Sequence, residues 1–243
     1  MNSNWPILTP LLLVLTTLFN ALAANADKPE LLYANHLGSV EQVANWTMEG
    51  PGQLTFKNGW MTLYSPGQTM HHVLWCPEEF PQSFFAEWEA QNLNTNAGLS
   101  IIFFAAKGLQ GEGIFSPSLK HRDGTFEQYI HGDIRSYHIS YYANAAHNKN
   151  RGHANLRKNN SFTLLQKGAL GIPTHSELAH KIQLQKIGPR ILMWVDNRKI
   201  IDYTDSQTTY WKDGKMGFRQ MQWTKFRYRN FKVWSVKPNA ENT

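Results

Sequence analysis

From residue 59 onward, apolar and polar positions alternate with a period of two and not of 3.6. The segments Gly59–Tyr64, Phe84–Gln91, Leu99–Ala105, Thr125–His131, Arg135–Tyr142, Ala179–Lys186, Arg190–Val195, Lys199–Tyr203 and Phe226–Val236 all follow this pattern. They are rich in aromatic and β-branched residues and are separated by Gly, Pro, Asn and Asp, so each is expected to be a strand. The Val195–Lys199 step predicts a tight hairpin, because Asp196 and Asn197 tolerate the positive φ that such turns require. Many short strands joined by such turns predict an all-β domain of two packed antiparallel sheets. No internal repeat or linker divides the chain.

Residues 1–26 carry no charged side chain, and their apolar part runs from Ile7 to Leu22. The small-x-small triplets Ala21-Leu22-Ala23 and Ala24-Asn25-Ala26 follow it, which predicts a cleaved export signal over 1–26 and a mature domain over 27–243. The apolar run is short for a permanent crossing, so no membrane span is expected in the mature chain. The protein is expected to be periplasmic or secreted. Cys76 is the single cysteine, so no internal disulfide forms and stability falls to the core. The formal charge of +6 lies wholly outside the signal and predicts an acidic partner. Export turns that expectation away from nucleic acid and toward anionic glycans.

The positive charge is unevenly placed. Residues 134–176 contain no Asp or Glu but include Arg135, Lys149, Arg151, Arg157, Lys158 and Lys167. Residues two apart on a strand share a face, so Asn155, Arg157 and Asn159 lie together, opposite Leu156. A guanidinium between two carboxamides suits a carboxylate or sulfate. In Arg135–Tyr142 the better core face is Tyr137, Ile139 and Tyr141, which leaves Ser136, His138, Ser140 and Tyr142 on the other. In Thr125–His131, Phe126 and Ile130 suit the core, with Glu127, Tyr129 and His131 opposite; reversing the faces exposes Gln128 instead.

The runs Leu99–Ala106, Gly111-Glu112-Gly113-Ile114-Phe115, Tyr137–Tyr142, Ala154–Asn159 and Gly217-Phe218-Arg219-Gln220-Met221 together resemble the YesU-like family of bacterial proteins. The resemblance covers nearly all of the mature chain and implies a concanavalin A-like jelly-roll β-sandwich. For chemistry it implies carbohydrates, by uronate β-elimination, glycoside hydrolysis or plain binding. In a jelly roll the free face of the concave sheet is the usual saccharide groove. That makes His138, Tyr142 and Tyr129 candidates for proton transfer. Arg157, Asn155, Arg151, Lys158, Gln128 and Arg219 become candidates for holding the substrate.

β-Elimination of a uronate needs a group to neutralise the carboxylate, a base for the C5 proton and an acid for the departing oxygen on C4. Arg157 with Asn155 fits the first role, which is electrostatic. His138 or a tyrosine fits the second and Tyr142 or Tyr129 the third. The rival is hydrolysis by Glu87 and Glu89, which share a strand face. A retaining pair needs its carboxyls about 5 Å apart, yet the jelly-roll glucanase signature Glu-x-Asp-x-x-Glu is missing, because the chain reads Glu87-Trp88-Glu89-Ala90-Gln91-Asn92. His71 and His72 are adjacent and point to opposite faces, and Asp202 with Asp205 makes a thin cation set, so neither metal nor cofactor is called for. The expected function is action on acidic, uronate-containing or sulfated oligosaccharides by elimination, with hydrolysis or non-catalytic glycan binding as alternatives.

Overall fold

The computed structural model describes residues 29–67, 71–144, 152–207 and 209–237. Residues 1–26, expected to be an export signal, and Arg151 therefore lie outside the described residues. The strands are β1 (Leu31–Asn35), β2 (Thr47–Glu49), β3 (Gln53–Lys57), β4 (Trp60–Tyr64), β5 (His72–Phe80), β6 (Phe84–Asn92), β7 (Gly98–Gly108), β8 (Ile134–Asn144), β9 (His153–Asn159), β10 (Thr163–Leu170), β11 (Ala179–Ile187), β12 (Arg190–Val195), β13 (Arg198–Thr204), β14 (Gly214–Gln220) and β15 (Lys225–Ser235). One short helix, α1 (Glu127–Ile130), lies between β7 and β8. The strands form two antiparallel sheets. One has eight strands in the order β13-β12-β11-β6-β15-β4-β3, with β1 added to β15; the other has seven, β10-β9-β8-β7-β14-β5-β2.

The alternation in β6 shows how the sequence dictates this. Phe84, Ala86, Trp88, Ala90 and Asn92 are buried, while Phe85, Glu87, Glu89 and Gln91 are half-exposed. Trp88 reaches across the sandwich to Phe218 of β14, with ring centroids 5.7 Å apart and nearly perpendicular. Each such ring contributes roughly 1.5–3 kcal/mol by leaving water. The β12–β13 turn has φ of 50° at Asp196 and 66° at Asn197, as the Asp-Asn pair predicts.

The seven-stranded sheet departs from simple alternation. β8 is buried at every position from Ile134 to Ala143, so both of its faces are covered. Its pairing with β7 also slips: Ser100 faces Tyr142 while Ile101 faces Ser140, which leaves Tyr141 as an extra residue. Such a bulge resets the alternation beyond it. Tyr141 and Tyr142 both turn into the core between the sheets. The predicted outward pairing of His138 with Tyr142 is thereby corrected. Tyr142 accepts from Asn92 Nδ2 at 3.0 Å, donates to the Thr174 carbonyl at 3.1 Å, and is raised in pKa by burial.

Candidate functional site

The outer face of the seven-stranded sheet collects four of the residues singled out from sequence, His138, Arg157, Asn155 and Arg219. Across β8 and β9, His138 pairs with Arg157, Ser136 with Asn159, and Ser140 with Asn155. On the other side His138 pairs with Phe103 of β7, while Arg219 of β14 pairs with Ile101 of β7 and Val73 of β5. Paired residues share a face. Arg157, His138, Asn155 and Arg219 thus belong to one surface.

That surface is largely covered. The connection from β7 to β8 folds over it, and Ile114 and Tyr129 pack with Val73, Trp75, Phe103, Ala106 and Ile134 into a second apolar cluster. The strand expected over Thr125–His131 is instead the helical turn α1. Phe126, Tyr129 and Ile130 stand at helical spacing, i, i+3 and i+4, and this outweighs the alternation of so short a segment. Asp123 Oδ1 accepts from the Thr125 amide and Gln128 Oε1 from the Asp123 amide, fixing the entry to the turn.

Tyr129 is consumed in that arrangement. It donates to Glu49 Oε2 at 2.8 Å and has its pKa raised, first by burial and then by the Glu49 charge. The same carboxylate accepts from Trp75 Nε1 at 2.8 Å and pairs with Arg122 at 2.8 Å. The hydroxyl expected to face an open groove is held by Glu49 beneath the cover. Gln128 is half-buried and likewise serves the loop that it belongs to.

His138 is 3% exposed, with Nδ1 3.0 Å from Asn159 Nδ2. Its ring lies edge-on to Phe103 at 5.4 Å and nearly parallel to Phe162 at 5.8 Å. Burial, reinforced by the Arg157 and Arg219 charges, lowers its pKa to about 3. The imidazole is therefore neutral and screened from solvent by Phe126 and Phe162. Phe162 takes φ of 53°, a left-handed conformation that folds the β9–β10 turn back over this face.

The two arginines differ. Arg157 is half-buried, with its guanidinium 4.0 Å over the Phe162 ring and Nη1 donating to the Phe162 carbonyl at 2.8 Å. Arg219 is fully buried, 4.7 Å from the Tyr129 ring and 5.0 Å from that of Phe126. Its Nη2 donates to the Gly124 carbonyl at 3.1 Å, but Nε and Nη1 have no hydrogen-bond partner. Burial lowers its pKa to about 10, against the raising influence of Tyr129 and Glu49. Buried donors are normally satisfied, so two orphaned donor nitrogens on one cation mark a place where an acceptor is wanting. Asn159 Oδ1 is a second orphan on the same face.

Other expected site residues lie elsewhere. Lys158 faces away from Arg157: its ammonium pairs with Asp205 at 2.8 Å and donates to Gln207 Oε1 and the Thr209 carbonyl. Glu87 and Glu89 lie on the outer face of the eight-stranded sheet, paired with Lys181 at 2.6 Å and Arg229 at 2.6 Å. Burial alone would raise Glu89, but hydrogen bonds from Arg229 and Asn230 outweigh it and hold the carboxyl below its ordinary range. Neither acid belongs to an open catalytic pair. Asp202 is taken by Arg190 and Lys199, and among the described residues no three His, Cys, Asp or Glu side chains form a metal-holding group. Sequence reasoning missed Glu49, Arg122 and Phe162, and assigned Phe126 to the core. The available signal was the length of the β7–β8 connection, since long connections in compact domains tend to carry function.

Comparison with known proteins agrees with this architecture. The chain is 36% identical over 208 residues to the uncharacterized protein YesU of Bacillus subtilis (strain 168), covering 83% of this chain and 94% of that one. A crystal structure of a protein of unknown function with a galectin-like fold, also from Bacillus subtilis, superposes with a TM-score of 0.81 at 35% identity over 86% of this chain and 98% of that one. More distant folds include the carbohydrate-binding module CBM66 from Bacillus subtilis, with a TM-score of 0.51 at 11% identity, covering 79% of this chain and 96% of that one. The Ca2+/Man3GlcNAc-bound exoplasmic/lumenal domain of VIP36 gives 0.57 at 8% identity, covering 88% and 95%. The family described as a domain of unknown function, DUF1961, matches residues 30–233, and the chain belongs to that family.

Proposed function

We propose that this protein is an exported glycan-binding protein that recognises acidic saccharides on the outer face of the seven-stranded sheet. Arg219 carries the reading: Nε and Nη1 of this buried guanidinium lack acceptors, and a carboxylate or sulfate that displaces the half-buried Phe126 ring beside it would supply them. Arg157 and Asn155 stand on the same face three strands away, across β8 and β7, and the half-buried rings of Phe126 and Phe162 supply apolar contact for sugar C–H groups. The fold likeness to CBM66 and to the glycan-bound VIP36 domain adds support at the level of architecture. The uncharged leader over 1–26 suits a ligand met outside the cytoplasm.

Binding is favoured over β-elimination because the three proton-transfer candidates are not gathered. Tyr142 lies on the opposite face of β8, Tyr129 is spent on Glu49, and His138 sits beneath two phenyl rings. Calorimetric titration with uronate oligosaccharides, repeated with their carboxyl-reduced counterparts, tests the proposal. Saturable binding of the acidic set alone, weakening as salt rises, is expected. Equal affinity for the reduced set overturns it. New ultraviolet absorbance from a C4–C5 double bond would replace binding by elimination, and released reducing ends without absorbance would replace it by hydrolysis.

A further inference from the structure

A cleft of about 680 Å³ opens beside the outer face, between β2 and the β7–β8 connection. We propose that it is a second saccharide subsite, one that takes a sugar ring by stacking and hydrogen bonding and not by charge. This rests on the reading that the neighbouring face binds an acidic saccharide, and it extends that reading from one sugar to a chain.

The floor of the cleft is the Glu49–Arg122 pair, whose side chains are 8% and 3% exposed. Arg122 also donates to the Ile114 carbonyl at 2.6 Å, so the floor is rigid and its strongest charges cancel. Phe115 stands on the wall and is 43% exposed. Its neighbour Ile114 is buried in the second apolar cluster, so the chain holds this ring outward while anchoring it firmly. An outward aromatic on a fixed backbone is a platform for the apolar face of a pyranose. Lys120 and His121 form the rim, and neither side chain makes a hydrogen bond or ion pair with the described residues. Asp123 lines the same cleft, so Lys120 and Arg122 are balanced by Glu49 and Asp123. Volume and lining fall within the range of small-molecule sites.

The cleft and the orphaned guanidinium share one wall. Gly124, directly after Asp123, accepts from Arg219 Nη2, and the Tyr129 ring beneath that guanidinium bonds to Glu49 on the cleft floor. On the far side of Lys120–Arg122 a further cleft of about 450 Å³ is lined by Gln128, His131 and Asn160. The ridge thus has open ground on both sides, which suits a ligand longer than one residue.

Phe115→Ala tests the subsite. It removes an exposed ring without touching the core, so the fold is expected to persist. With uronate oligosaccharides of increasing length, the wild-type affinity is expected to rise once the chain is long enough to reach the cleft, and Phe115→Ala to abolish that gain, a loss of about 2- to 10-fold. Affinity for the shortest acidic ligand and its salt dependence stay unchanged in the variant. Affinity independent of length, or loss of short and long ligands alike, overturns the subsite while leaving the acidic site standing. Length-dependent binding of neutral chains, abolished by Phe115→Ala in a protein that ignores acidic ones, overturns the acidic site and retains the subsite. Absence of binding to either set overturns both.

Discussion

Tyr129 donates its hydroxyl hydrogen bond to Glu49 across 2.8 Å, and this contact fastens the β7–β8 connection to β2. Glu49 holds the connection a second time through Arg122, so one buried carboxylate closes the cover over the outer face. Removing one partner of a buried pair leaves the other charge uncompensated and costs about 3–5 kcal/mol. Glu49→Ala is expected to fall in that range by urea unfolding, and Tyr129→Phe, which forfeits one hydrogen bond, to cost about 1–2 kcal/mol.

Two neutral histidines make stability depend on pH. Burial and the Arg219 charge lower His72 to about 4, and burial with Arg157 and Arg219 lowers His138 to about 3, both from an ordinary value of 6.5. Below 6.5 the unfolded chain takes up protons that the folded chain refuses. Stability is therefore unaffected above that value and falls as the pH drops toward 4 and 3, by up to about 1.4 kcal/mol per pH unit for each histidine. Urea unfolding at stepped pH is expected to show this slope, and His138→Gln or His72→Gln to reduce it by about half. An unchanged slope in both variants would place the titration elsewhere.

Tyr142→Phe separates the core from the site. The hydroxyl joins Asn92 to the Thr174 carbonyl inside the sandwich. Its loss is expected to cost about 1–2 kcal/mol because it leaves the buried Asn92 amide without that acceptor and the half-buried Thr174 carbonyl without that donor, while ligand affinity stays at the wild-type level. A variant that kept full stability but lost ligand binding would return Tyr142 to the outer face.

Much of this molecule is legible in its sequence. The alternation of Phe84, Trp88 and Ala90 against Glu87 and Glu89 places β6, and Asp196-Asn197 places its hairpin. The alternation around Leu156 also brings Arg157 and Asn155 to the face that carries His138. Three features were hidden for physical reasons. The bulge at Tyr141 arises from pairing between strands distant in sequence, which no local pattern records. Thr125–His131 is too short for its alternation to outweigh the i, i+3, i+4 spacing of Phe126, Tyr129 and Ile130. Finally, a polar strand face reads as solvated unless a cover is foreseen, and the cover here comes from a connection whose apolar residues, among them Ile114, Leu119 and Tyr129, follow no strand-like alternation.

The most direct measurement is nitrogen-15 NMR of the Arg219 side chain, assigned from its absence in Arg219→Lys. Arg219 Nε has no acceptor in the free protein. On titration with an acidic oligosaccharide its Nε–H signal is predicted to move downfield and to become slow to exchange as a carboxylate or sulfate takes up the bond. A signal that stays in place while the oligosaccharide binds would contradict the account, because recognition would then proceed without the guanidinium on which it rests.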